Sequence, residues 1–133
     1  SPDPATVDEA LYFRSRLKEF RVSLSALVVN RVRQRFDASQ LAHLELNELT
    51  EELIGVPGAR IMGRTLIMQL ARKLLKNAHE FDRLAERDKE TISELSEQIG
   101  EHVPIATVPM YASDVHTVAG LNQVRRDLFE LSE

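Results

Sequence analysis

Apolar residues recur at Val7, Ala10, Phe13, Leu17 and Phe20, a three-four spacing that predicts an amphipathic helix over about 5–20. Ser1-Pro-Asp-Pro4 ahead of it reads as a turn, with Asp3 or Thr6 able to cap the helix. Arg21 to Ser23 is a break. Leu24 to Val29, apolar except at Ser25 and β-branched at Val28 and Val29, is a run of strand length suited to an interior parallel strand covered by helices on both faces. Leu41, Leu44, Leu49 and Leu53 then predict a short helix with an acidic outer face, ended by Gly55-Val-Pro-Gly58. From about Thr65 a long helix runs through Leu66, Leu70, Leu74, Ala78, Phe81 and Ala85. Ile92, Leu95 and Ile99 keep its period, Asp88 is the only gap, and Gly100 ends it. Ile105 to Val108 reads as a second strand. Ser113 or Asp114 would cap a last helix through Val118, Leu121, Val124 and Leu128.

The order helix, strand, helices, strand, helix predicts an α/β fold, mostly helical, with two short parallel strands. Residues 1–36 and 88–133 carry the α/β pattern, and 37–87 reads as a helical insertion. Two parallel strands cannot bury both faces and satisfy both edges alone. They are therefore expected to join a sheet supplied by other polypeptide, or to pair with a second copy.

Composition narrows the chemistry. The 133 residues are enough for one domain with a real core. With no cysteine, disulfides and thiolate-metal sites are excluded, which fits a cytoplasmic setting. No apolar run reaches membrane-spanning length, and the first residues do not form a signal peptide. The start at Ser1 predicts a cut or processed end. The net charge of −4 hides segregation: basic residues cluster between Leu11 and Phe36 and acidic ones between Asp37 and Pro57. No aromatics interleave with the basic residues, which argues against nucleic acid as a partner. His43, His79, His102 and His116 are scattered without metal-ligand spacing. Asp88-Lys-Glu90, with Glu94 and Glu97, reads as a hydrated helix face. Gly58-Ala-Arg-Ile-Met-Gly63-Arg64-Thr65 has the spacing of a phosphate loop, but arginine stands where the slim lysine is needed and no strand precedes it. It reads as a loop feeding a helix.

Three short motifs carry the candidate chemistry: Ser1-Pro-Asp-Pro-Ala-Thr-Val-Asp-Glu-Ala10, then Leu27-Val-Val-Asn-Arg-Val32, then Val108-Pro109 leading into Asp114-Val-His-Thr-Val-Ala-Gly-Leu121. An asparagine at the carboxyl end of a parallel strand sits where α/β folds bind ligands, and its amide offers both a donor and an acceptor. In order and spacing these motifs resemble the second half of the ArsA-like P-loop ATPases, the arsenite-pump and tail-anchored-protein-targeting enzymes and their bacterial anion-transporting ATPase-like relatives. The resemblance covers roughly 1–36 and 88–131 and leaves out the helical middle. It implies ATP as ligand, with Asn30 and Arg31 at the adenine and Val108, Pro109 and Met110 packing on the base and adding backbone hydrogen bonds. It also implies that the phosphate loop, the switch segments and the magnesium ligands belong to an N-terminal half of the same ATPase, so that this chain alone would not hydrolyse ATP. A homodimer, and a hydrophobic client or membrane-protein partner, are the partners it suggests. Leu66-Ile-Met-Gln-Leu70 and Leu74-Leu75 would belong to a client groove or, more simply, to an ordinary core. The competing reading is a non-catalytic helical interaction module whose strands complete a partner's sheet.

Overall fold

The structure, a computed structural model, describes residues 1–35, 45–100 and 102–129. Leu41 and Leu44, expected on the short acidic helix, lie outside the described residues. The elements run α1 (Pro4–Glu19), β1 (Leu27–Val32), α2 (Leu46–Gly55), a 3-10 turn (Ala59–Met62), α3 (Gly63–Ile99), β2 (Ile105–Pro109) and α4 (Val118–Phe129). The chain is mostly helical with two short parallel strands, an α/β arrangement. It divides into two compact units, residues 1–34 with 85–133, and residues 35–84.

In the first unit α1 starts where Asp3 Oδ1 accepts the Ala5 N–H at 3.1 Å, with Pro4 preset for the first helical turn. Asp3 rather than Thr6 is therefore the cap. Val7 and Leu11 turn toward the core, whereas Phe13 and Phe20 are 63% and 71% exposed. The apolar stripe read from the sequence is thus split, and only its Val7 side is covered within the unit.

The strands pair in parallel, Leu27 against Ile105 through Asn30 against Val108 and, past a bulge at Arg31, Val32 against Pro109. Pairing, rather than the apolar run, sets the limits of β1. Leu24 packs on the core without joining the ladder, and the strand begins at Leu27, whose N–H donates to Pro104 O at 3.0 Å. Val29, Leu95 and Ile99 form the buried centre, with Leu27, Ile105, Val103 and Ile92 packed against it. One sheet face therefore lies on the carboxyl half of α3. That helix ends at Gly100, whose φ of 92° suits only glycine and whose N–H donates to Ser96 O at 2.9 Å. Arg14 of α1 closes the same end: its guanidinium donates to Gln98 O at 2.9 Å and to Ile99 O at 2.6 Å. These are carbonyls that the helix itself leaves unbonded.

Asp88 corrects the sequence reading. It does not belong to a hydrated face: it is 3% exposed and lies on the inward seam of α3, one turn from both Ala85 and Ile92. Its Oδ2 accepts the Arg33 backbone N–H at 2.9 Å and its Oδ1 accepts Arg33 Nη1 at 2.8 Å. The gap in the apolar period is an interior position whose charge is paired. A buried carboxylate without that partner would be costly. The pair fixes the chain leaving β1 to the helix that supports the sheet.

In the second unit Leu49 and Thr50 of α2 and Ile67 and Ala71 of α3 are buried. Thr50 satisfies its hydroxyl by donating to Leu46 O at 2.6 Å. Glu45 precedes α2, and its N–H donates to Glu48 Oε2 at 3.1 Å. Leu66, Leu70 and Leu74 are partly exposed, so the inward seam here is one residue on from the expected one and these leucines are not core. Gly58 to Thr65 forms the 3-10 turn and the start of α3 after a helix, without the preceding strand a phosphate loop requires.

Asp88→Ala should destabilise the protein by about 2–4 kcal/mol, and Asp88→Asn by less because one hydrogen bond survives. Urea unfolding measures both, and an Asp88→Ala loss below roughly 0.5 kcal/mol, the range of neutral surface changes, would show that the pair does not hold the fold.

Candidate functional site

Alternation along the strands divides their side chains between two faces. Leu27 and Val29 of β1 and Ile105 of β2 belong to the core face. Val28, Asn30 and Val108 belong to the other, which α4 covers beside β2. Val28 stays 51% exposed, so β1 is not enclosed on both faces within the described residues, contrary to the expectation from its apolar run.

The parallel pairing brings the carboxyl ends of both strands together. Here Asn30, Arg31, Val108, Pro109 and Met110, all five candidate ligand residues, line one cavity of about 420 Å³. The walls opposite come from the loop after β2 and from Val124 and Leu128 of α4. Val108 is its buried apolar floor. Asn30 is exposed at the mouth, and its Oδ1 accepts the Arg31 N–H at 2.8 Å. At Pro109 and Met110 the backbone has no donor to spare. Proline has no N–H, and the Met110 N–H donates to Val32 O at 2.8 Å. That wall can only accept hydrogen bonds, which narrows the backbone contacts expected from the sequence to carbonyl oxygens.

Three residues that the sequence reading passed over fix this wall. Tyr111, just past β2, donates its phenol to Asp127 Oδ2 on α4. Asp127 Oδ1 accepts Gln123 Nε2 at 3.1 Å, and Gln123 Oε1 accepts Arg126 Nη2 at 2.6 Å. The one sequence signal is the i, i+4 spacing of Gln123 and Asp127, which has no meaning until Tyr111 is placed beside them. Burial pushes the Tyr111 phenol up to about 12, with the hydrogen bond to Asp127 and then its negative charge adding to the effect.

The residues before α4 also differ from expectation. Neither Ser113 nor Asp114 caps the helix. Thr117 does, its Oγ1 accepting the Gly120 N–H at 3.1 Å while its carbonyl receives the Leu121 N–H at 2.9 Å. The stretch from Ser113 to His116 instead forms a loop in which His116 Nδ1 lies 2.9 Å from Asp114 O. A Cβ on Gly120 would lie 3.1 Å from Val115 Cγ1, so the glycine lets this loop fold back on the helix. Residues of this loop line the first cavity and also a second of about 460 Å³, to which His116, Thr117 and Gln123 contribute.

No family model matches the chain, and neither a curated protein nor a solved structure is detectably similar to it. Geometry alone therefore bears on what the site binds. Among the described residues no cluster of His, Asp and Glu could hold a metal ion, and no helix is long and apolar enough to cross a membrane.

The raised Tyr111 pKa has a definite sign. Between pH 10 and 12 the folded chain keeps a proton that the unfolded chain releases, so stability is fully present below about pH 10 and falls as pH rises toward 12. Absorbance titration of phenolate should lose its component near pH 12 in Tyr111→Phe, together with this part of the alkaline destabilisation. An unchanged high-pH component in the variant would show that Tyr111 is not the shifted group.

Proposed function

We propose that this chain is the adenine-side portion of an ArsA-like ATP-binding ATPase, of partial P-loop fold. The supporting observation is the parallel register that sets Asn30 beside Val108 and gathers Asn30, Arg31 and Val108 to Met110 around one cavity at the strands' carboxyl ends. An apolar floor with a few convergent polar groups suits a flat base. The hydrogen-bonding character suits adenine in particular. With Oδ1 engaged by the Arg31 N–H, the Asn30 amide offers Nδ2 as donor to a ring nitrogen. The Pro109–Met110 backbone has no free N–H, so it can meet an exocyclic amine only through its carbonyl oxygens. Guanine carries an oxygen where adenine carries that amine, and would set acceptor against acceptor.

On this reading the phosphates and magnesium are held by the N-terminal half of the same ATPase, and this chain performs no hydrolysis alone. The unit formed by residues 35–84 is the helical insertion. A homodimer and a hydrophobic client remain part of the proposal, with the half-exposed Leu66, Leu70 and Leu74 as a surface for the client. The setting is cytoplasmic, with no nucleic-acid partner. A second reading, a non-catalytic interaction module that completes a partner's sheet, is favoured by one observation. Among the described residues each strand pairs only with the other, and Val28 is left half exposed.

Amide NMR of the chain titrated with nucleotide separates the two. ATP and adenosine should bind with similar, roughly millimolar affinity, because the base alone is held, and both more tightly than GTP. The shifts should centre on Asn30 and on Val108 to Tyr111, and Asn30→Ala should weaken binding roughly threefold to tenfold. No shift at these residues, or equal binding of ATP and GTP, would favour the interaction module.

A further inference from the structure

Arg31 has a φ of 61°, in the left-handed region that a residue with a Cβ rarely occupies. It is also the residue left out of the ladder, since Asn30 pairs with Val108 and Val32 with Pro109. The two facts have one consequence. An unbroken alternation would carry Arg31 to the core face and Val32 to the cavity face. The extra residue reverses this: Val32 packs on the core and Arg31 is exposed at the cavity rim. Released from the ladder, the Arg31 N–H turns back onto Asn30 Oδ1 at 2.8 Å. An N–H can meet only the oxygen end of a side-chain amide, so this bond sets which way the amide faces. The Arg31 guanidinium, by contrast, has no ion-pair partner among the described residues.

We infer that Arg31 serves the ligand site through its backbone, as a positioning residue whose left-handed bulge holds the Asn30 amide with Nδ2 presented to the ligand. The inference rests on the adenine reading for what that amide recognises, but not for the bulge or the hydrogen bond. It gives the Arg31 placement expected from the sequence a specific form, through the backbone rather than the guanidinium.

Three substitutions separate backbone from side chain. Arg31→Gly and Arg31→Asn remove the guanidinium but accept positive φ, whereas Arg31→Val keeps neither the guanidinium nor an easy left-handed backbone. Two readouts are needed. The first uses no nucleotide: the temperature coefficient of the residue-31 amide proton should stay low, as for a bonded N–H, in wild type, Arg31→Gly and Arg31→Asn, and rise in Arg31→Val. The second is ATP affinity, expected within about twofold of wild type for Gly and Asn and about fivefold weaker for Val, the scale of one hydrogen bond. In an Asn30→Ala background Arg31→Val should weaken binding no further, because the residue acts through Asn30. If Arg31→Val does not fold, Arg31→Ala should move both readouts in the same direction by less. Equal losses for Gly and Val would overturn the inference in favour of a side-chain role. A protected residue-31 amide in Arg31→Val would overturn it as well. Failure of wild type to bind ATP would remove the adenine reading, while the amide measurement would still decide whether the bulge holds Asn30.

Discussion

Parallel pairing of β1 with β2 joins segments from near opposite ends of the chain, and most of the described chemistry depends on it. Closing so long an intervening stretch costs chain entropy, which the ladder alone does not repay. Val29, Leu95 and Ile99 beneath the sheet, and Asp88 holding Arg33, supply the remainder. The contacts are mutually dependent. Without the ladder Val29 loses its fixed place over α3, and without Asp88 the chain leaving β1 loses its anchor just past the site.

Hydrogen-bond accounting at the strand ends gives the site its character. The bulge spends the Arg31 N–H on Asn30, and the ladder spends the Met110 N–H on Val32. What remains is an apolar floor at Val108, a strand end at Pro109 and Met110 with no free backbone N–H, and the side chains of Asn30 and Arg31 at the rim. Tyr111 and Asp127 then tie the end of β2 to α4, so that strand end is held by side chains as well as by the ladder. A preorganised rim of this kind lowers the ordering cost of binding.

Much of the scaffold was legible in the sequence. Periodicity located α1 and the unbroken α3, Gly100 marked the end of α3, and Leu27 to Val32 and Ile105 to Pro109 proved to be parallel strands. The limits of β1 were not legible, because a strand ends where its partner does, and Leu24 looks like Leu27 until Ile105 is in place. Asp88 read as a gap because period alone cannot tell an exposed carboxylate from one paired to a distant arginine. The five residues that the motifs singled out line one cavity, because the parallel register brings the two strand ends together. Tyr111, Gln123 and Asp127 were not, since ordinary residue types acquire a role only when the fold brings them together. Thr117 was hidden by Ser113 and Asp114, equally good caps a few residues earlier.

The central claim, an adenine nucleotide seated at the carboxyl ends of β1 and β2, is tested most directly by photoaffinity labelling with 8-azido-ATP followed by peptide mapping. The account predicts label on the peptides containing Asn30–Arg31 or Val108–Tyr111, suppressed by excess ATP and not by GTP. Label confined to residues 45–84, or label that ATP does not suppress, would contradict it.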